Sequence, residues 1–75
     1  MIWVDPQKAR EWLRTADTEP PINLGEVMEY LHRMETGDDF DRRLEWRDGR
    51  LYNGRHRLLA IILHGTSVRM EAVQA

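Results

Sequence analysis

The 75-residue sequence contains no cysteine and no long apolar run, and each absence excludes a class of protein. Without cysteine, a disulfide scaffold, a thiolate nucleophile and a cysteine-based zinc site are all impossible. The longest uninterrupted apolar run, LLAIIL at 58–63, has six residues and is far too short to span a membrane. No signal-peptide pattern opens the sequence. We therefore expect a cytoplasmic protein that has no membrane partner.

A chain of this length predicts one domain, residues 1–75, with a small core. In a domain of this size the free energy gained by burial barely exceeds the conformational entropy lost on folding. The three tryptophans, two tyrosines and one phenylalanine add large apolar side chains to that core. A homodimer is one way to bury further surface, and we keep it as an expectation about partners.

The formal net charge of −2 hides an uneven distribution along the chain. Residues 1–41 carry four Lys/Arg and ten Asp/Glu, whereas residues 42–75 carry seven arginines and three acids. The overall acidity disfavours strong non-specific binding to duplex DNA. The arginine-rich half is compatible with a local anion, nucleotide or nucleic-acid site, and equally with a charged surface that pairs internally.

Three helices are predicted from caps and periodicity. Asp5 and Pro6 start a helix that runs to about residue 16, with Trp12 as a core anchor. A loop follows at 17–22. Asn23 caps the second helix and pairs with Glu26 in a capping-box-like arrangement, and Gly37 ends it. Its apolar period runs through Leu24, Val27, Met28, Leu31 and Met34, with Tyr30, His32 and Arg33 off the stripe. The run at 58–63 predicts a third helix, buried almost all round, that stops at Gly65.

Four strands complete the prediction. Residues 1–4 read as an edge strand, and residues 42–47 alternate with Leu44 and Trp46 on one face. Asp48-Gly49 predicts a type I′ hairpin turn into a strand at 50–52, and residues 66–73 read as a strand that returns beside the hairpin. The acidic cluster at 38–41 reads as a solvated turn. The order is therefore β-α-α-β-β-α-β, an α+β domain with a small mixed sheet packed against three helices.

The turn at 53–57 is the candidate site. A strand, a glycine-bearing turn and a helix whose first turn carries Arg55, His56 and Arg57 favour an anion, because the helix N-terminus offers unpaired N–H groups and guanidiniums add positive charge. The candidate phosphate-binding residues are Asn53, Gly54, Arg55, His56 and Arg57, with Arg47 and Arg50 as supporting basic residues. A basic first turn that is merely solvated explains the same local sequence.

No catalytic or metal-binding set emerges from the remaining polar residues. His32, His56 and His64 lack the i, i+4 spacing of a helical metal pair, and His64 is placed to cap helix carbonyls. We find no carboxylate cluster suited to metal-assisted phosphodiester hydrolysis. A nuclease or nucleotide hydrolase is therefore the least favoured function, and we expect binding without catalysis.

With these residues identified, the chain resembles small single-domain members of the ParB/sulfiredoxin-like superfamily found in phages, plasmids and bacteria. The resemblance rests on the stretch DGRLYNGRHRLLA at 48–60, which contains Gly54-Arg55-His56-Arg57, and on Met34-Glu35-Thr36-Gly37 before it. It implies a ParB/sulfiredoxin-like fold. It also implies that Gly54, His56 and Arg57 hold the phosphates of a nucleotide, with or without Mg²⁺. Gly54 would let the ligand approach the backbone, and Arg57 would supply a bidentate guanidinium.

Departures from that family limit the expected activity. Sulfiredoxins have a cysteine where this chain has Arg55, so their chemistry is excluded. Partition proteins usually have glutamate there, together with a further acidic motif and a helix-turn-helix domain, which residues 1–75 lack. Two hypotheses remain: a module that binds a nucleotide or a nucleic-acid backbone at 53–57, or a phage or plasmid accessory protein that binds a protein partner and keeps a vestigial pocket.

Overall fold

The computed structural model describes residues 1–18 and 20–74; Glu19, in the loop expected at 17–22, and Ala75 lie outside the described residues. Seven elements follow one another along the chain: β1 (Ile2–Val4), α1 (Pro6–Leu13), α2 (Leu24–Thr36), β2 (Arg43–Arg47), β3 (Arg50–Asn53), α3 (Arg55–His64) and β4 (Val68–Gln74). The expected α+β class, with three helices and a small mixed sheet, is confirmed. None of the described helices has the length and apolar character needed to cross a membrane.

The sheet has the strand order β1-β4-β2-β3. β1 pairs with β4 and β2 with β3 in antiparallel fashion, whereas β2 and β4 run parallel. β1 is the edge strand that the apolar residues 1–4 predict. At the other edge, Asp48 and Gly49 both have positive φ, +53° and +75°, as a type I′ turn requires. The expected hairpin is confirmed.

Local capping chemistry sets the starts of α1 and α2. Asp5 Oδ1 accepts a hydrogen bond of 2.7 Å from the Lys8 N–H, and Asn23 Oδ1 accepts one of 3.2 Å from the Glu26 N–H. The expected end of α1 near residue 16 is wrong. The helix ends at Leu13 because the next amides, of Thr15 and Ala16, bond to carbonyls three residues back, which tightens the chain out of the α-helix.

The core lies between one face of the sheet and the helices. It contains Val4, Leu44, Leu51 and Met70 from the strands and Leu58 and Ile61 from α3. The half-buried rings of Trp12 and Trp46 meet edge to face with centroids 5.0 Å apart, so Trp12 is the core anchor that its position on α1 predicts. A second cluster joins Val27 and Leu31 of α2 to Ala60 of α3.

Two expectations about buried faces are wrong. Leu24 and Met28 of α2 are 73% and 54% exposed, because the face of α2 that meets α3 is centred on Val27 and Leu31. Leu63 of α3 is also exposed, since α3 contacts the core on its other sides only. The apolar run at 58–63 thus reaches almost every side of the helix, but the side that carries Leu63 is exposed.

Candidate anion site at the start of α3

Gly54 is the N-cap of α3, and its backbone has φ +127°. A Cβ at this position would lie 2.7 Å from Leu44 Cδ2, which is closer than side chains approach one another. Only glycine fits both the dihedral and the space. The close approach that Gly54 permits here is therefore to the core side chain of β2, a structural role that the local sequence did not predict.

Arg57 is the most unusual side chain in this turn, because only 6% of it is exposed. Its Nη1 donates to the Tyr30 hydroxyl at 3.1 Å and lies 3.6 Å from Asp41 Oδ2. Its Nε is buried and has no hydrogen-bond partner among residues 1–18 and 20–74. An unpaired buried donor of a charged group costs about 1–3 kcal/mol or more, so this atom is a place where a ligand acceptor would be stabilising.

Asp41 is shared between two arginines rather than simply solvated. Arg43 makes two side-chain hydrogen bonds to it, both of 3.0 Å. These bonds, together with the Arg43 backbone N–H and the charge of Arg57, lower the pKa of Asp41 to about 2 against the opposing effect of partial burial. Asp41 is exposed, as the solvated turn expected at 38–41 requires, and its ionised carboxylate also partly neutralises Arg57.

His56 joins the starts of α2 and α3. Its Nε2 accepts a hydrogen bond of 2.9 Å from the backbone N–H of Asn23 and lies 3.3 Å from Glu26 Oε2. The expected capping box is therefore incomplete, since His56 and not Glu26 receives the Asn23 N–H.

The other predicted site residues are held by neighbouring parts of the chain. Arg55 donates to the carbonyl of Pro20, and Asn53 Nδ2 donates to Glu45 Oε1 at 3.1 Å. Arg50 binds the Asp17 carboxylate at 3.0 Å, and the Arg47 guanidinium lies over the Tyr52 ring. Among these four contacts, the one between Arg50 and Asp17 is the internal charge pairing that the charge distribution also allowed.

The turn borders a cavity of about 310 Å³. Its lining residues come from α2 and from the junction of β3 with α3: Glu26, Tyr30, Asn53, Gly54, His56 and Arg57. Arg55 lies on a smaller neighbouring cavity with Asp17 and Pro20. Arg47 and Arg50 border a separate cavity at the hairpin turn. The structure thus brings four of the five predicted phosphate-binding residues to one cavity and places the two supporting arginines elsewhere.

Tyr30, Glu26 and Asp41 are site residues that the sequence reading missed. Arg57 itself carried the signal, because it lies one helical turn before Ala60 and Ile61 and so shares their buried face. A buried arginine needs a carboxylate partner, and the acidic cluster at 38–41 was the available source.

Metal binding has little support from the protein's own side chains. Among the described residues, no group of three or more His, Asp or Glu is placed to hold a metal ion. A Mg²⁺ ion with a nucleotide would therefore depend mainly on the phosphates and water, as this ion often does.

No protein-family model matches the chain, and no curated protein or solved structure shows significant similarity to it.

Proposed function

We propose that the cavity at the start of α3 binds the phosphate group of a nucleotide or of a nucleic-acid backbone, in a domain of the ParB/sulfiredoxin-like type. The observation that carries the proposal is the buried Arg57 beside this cavity, with an Nε–H that has no partner among the described residues. The finer fold assignment rests on the Gly54-Arg55-His56-Arg57 motif at the junction of β3 with α3.

Several features of the cavity favour an anion. Gly54 gives α3 no side-chain cap, so the first N–H groups of the helix keep their preference for a negatively charged acceptor. The Asn53 amide and the His56 ring add polar groups at the same wall. Arg57 supplies the guanidinium, whose Nε–H is the donor that a phosphate oxygen would satisfy.

Two carboxylates oppose the anion and set the expected affinity. Asp41 already neutralises part of the Arg57 charge, and Glu26 lies at the cavity wall beside His56. A phosphate therefore has to compete with protein acceptors that are already in place. We expect moderate binding that weakens with added salt.

Ligand-induced thermal stabilisation tests the proposal. The ligands are inorganic phosphate and a panel of nucleotides, each with and without Mg²⁺. A ligand at a hundred times its dissociation constant adds about 2.7 kcal/mol, which in a domain of this size raises Tm by about 10–20 °C. The variant Arg57→Lys keeps the positive charge but removes the Nε–H, and we expect it to lose most of the shift. Arg10→Lys on the exposed side of α1 is the matched control and keeps the whole shift.

The proposal fails if neither phosphate nor any nucleotide stabilises the wild-type protein at millimolar concentration. It fails equally if Arg57→Lys is stabilised as much as Arg10→Lys. Each Tm shift is measured against the same variant without ligand. The loss of binding is therefore separated from the loss of stability that any change at buried Arg57 brings.

A protein-binding role is the second candidate, and the exposed pair Leu24 and Met28 favours it. These residues lie four positions apart, so they form one apolar strip on the solvent side of α2. In this reading the contacts made by Arg55 and Arg57 fill a vestigial pocket. A specific partner lost in Met28→Glu, together with no nucleotide binding by the wild-type protein, would favour this role over the first.

A further inference from the structure

One face of the sheet is turned away from the helices and carries charged and aromatic side chains. Strand alternation places Val4, Leu44, Leu51 and Met70 in the core, so the residues next to them along each strand point the other way. We call this side the open face. Its side chains include Trp3 of β1, Arg69 and Glu71 of β4, Glu45 of β2 and Tyr52 of β3, and Arg47 of β2 joins them through its contact with the Tyr52 ring.

Two exposed aromatic rings mark the opposite edges of the open face. Trp3 is 62% exposed and Tyr52 is 55% exposed, although large aromatic side chains are usually buried in a small domain. They lie on β1 and β3, the two edge strands, which are three strand spacings or about 14 Å apart. Between them the surface is charged, so the rings do not belong to one continuous apolar patch.

An arginine accompanies each ring. The guanidinium carbon of Arg69 lies 5.7 Å from the centroid of the Trp3 ring, and that of Arg47 lies 4.0 Å from the centroid of the Tyr52 ring. Each edge of the open face therefore presents an exposed aromatic ring with a guanidinium lying over it. These contacts order the arginine side chains before any ligand arrives.

These two arginines keep their charge available. Neither Arg47 nor Arg69 forms a salt bridge within the described part of the chain, whereas Arg43 between them is bound to Asp41. Glu45, the nearest acid along β2, accepts a hydrogen bond from Asn53. A cavity of about 260 Å³ beside Trp3 is lined by Arg42 and Arg69 and also by the acid Asp38.

We propose that the open face binds single-stranded nucleic acid, with bases stacked on Trp3 and Tyr52 and phosphates held by Arg69 and Arg47. Stacking rings alongside cations are the combination that single strands require, because unpaired bases expose π surfaces and the backbone is anionic. A duplex hides its bases, and the net charge of −2 disfavours binding by charge alone. The rings are isolated among charges, which suits separate bases better than the continuous apolar surface of a protein partner.

The experiment is a titration of labelled oligothymidine of about 12 nucleotides into the wild-type protein at about 50 mM salt, followed by fluorescence anisotropy. Trp3→Ala and Tyr52→Ala each remove one ring, and we expect each to weaken binding by about fivefold or more. Arg69→Ala also weakens binding and makes it less dependent on salt. Arg14→Ala removes an exposed arginine of the same charge from the far end of α1 and leaves the affinity nearly unchanged.

Intrinsic fluorescence supplies a second readout that is specific for stacking. Nucleic acid should quench the wild-type emission through Trp3, while Trp12 and Trp46 pack against each other beneath the sheet. In Trp3→Ala the added strand should leave the remaining emission unchanged. His56→Gln alters the α3 cavity but removes no ring or cation from the open face, so the strand should still quench the Trp3 emission in this variant, which separates this site from the proposed phosphate cavity.

Three results would overturn the proposal. The first is the lack of binding to the single strand at about 100 μM protein, the weak end of ordinary non-specific affinity. The second is equal affinity for Trp3→Ala, Tyr52→Ala and the control Arg14→Ala. The third is equal or tighter binding of a duplex of the same length, which would indicate attraction by charge without stacking.

Discussion

Helices α2 and α3 pack side by side, yet they begin with different chemistry. α2 begins at Asn23, whose side chain accepts a hydrogen bond from the helix, whereas α3 begins at Gly54 and has no side-chain cap. The first start is stabilised by local sequence. The second is fixed by its fit against Leu44 of β2 and by the contacts of Arg57 with Tyr30 and Asp41. A start that lacks its own acceptor is the one at which the proposed anion would be stabilised.

The largest effect should come from Gly54→Ala. The new Cβ would meet Leu44 Cδ2 at 2.7 Å and hold a non-glycine residue at φ +127°, so we expect a loss of about 4 kcal/mol in the free energy of unfolding. Gly49→Ala is the matched control, since Gly49 also has positive φ but its new Cβ would meet no atom of residues 1–18 and 20–74 within 4 Å, and it should lose about 1–2 kcal/mol. Urea denaturation measures both. Equal losses would show that the contact with Leu44 does not determine the start of α3.

Arg57→Ala should have the next largest effect. The substitution leaves the Tyr30 hydroxyl without this hydrogen-bond partner and leaves a cavity in place of the side chain, while Asp41 keeps its bonds to Arg43. We therefore expect a loss of about 2–3 kcal/mol in the free energy of unfolding. Tyr30→Phe removes only the hydrogen bond to Arg57 and should lose about 1–2 kcal/mol. Arg33→Ala, in an exposed pair with Glu29 on α2, should change stability by about 0.5 kcal/mol. If Arg57→Ala and Tyr30→Phe lose no more stability than the control Arg33→Ala, the burial of Arg57 contributes nothing to the stability of the fold.

The same contrast explains how much of the molecule the sequence could predict. The starts of α1 and α2, the ends of α2 and α3 and the hairpin follow from local chemistry. The residues responsible act within four positions of themselves: Asp5, Asn23, Gly37, Asp48-Gly49 and Gly65. The sheet order joins residues far apart in sequence, and only the edge position of β1 and the return of the last strand beside the hairpin were expected. The exposed side of α2 also depends on where α3 lies, which is why Leu24 and Met28 were misplaced.

The candidate site was predictable in location but not in construction. The motif at 53–57 identified the wall of the cavity, because its glycine and basic residues are consecutive. The partners that hold Arg57, Tyr30 and Asp41, come from positions 27 and 16 residues before it, and periodicity alone does not connect them. Gly54 was expected to make room for a ligand, and its contact with Leu44 is visible only when β2 is in place.

Asn23→Ala tests the start of α2 directly. Losing the side-chain acceptor for the Glu26 N–H should cost about 1 kcal/mol, and Asp5→Ala at the start of α1 should cost about the same. Both losses should appear in urea denaturation without a change in its slope. The backbone bond from Asn23 to His56 survives the substitution, so a loss well above that of Asp5→Ala would mean that the two helix starts depend on each other through His56.

The smallest effect is on the pH dependence of the free energy of unfolding. It distinguishes the start of α3, where Arg57 contacts the titratable Asp41, from the start of α2, where the cap Asn23 carries no charge. The pKa of Asp41 lies at about 2 in the folded protein, below the ordinary value of 3.8. Its ionised form therefore stabilises the fold above about pH 4, and this stabilisation disappears as the pH falls towards 2. The Asp41 side chain is 39% exposed, so after allowance for solvent screening we expect about 1 kcal/mol. The stability difference between the wild-type protein and Asp41→Asn should narrow by that amount between pH 4 and pH 2, whereas the difference between wild type and Asn23→Ala should stay constant.

Because the hydrogen bonds from Arg43 are the main cause of the low pKa, Arg43→Leu should remove most of this pH dependence, and Tyr30→Phe should keep it. A difference between wild type and Asp41→Asn that does not change with pH would mean that Asp41 is not held by these arginines in solution.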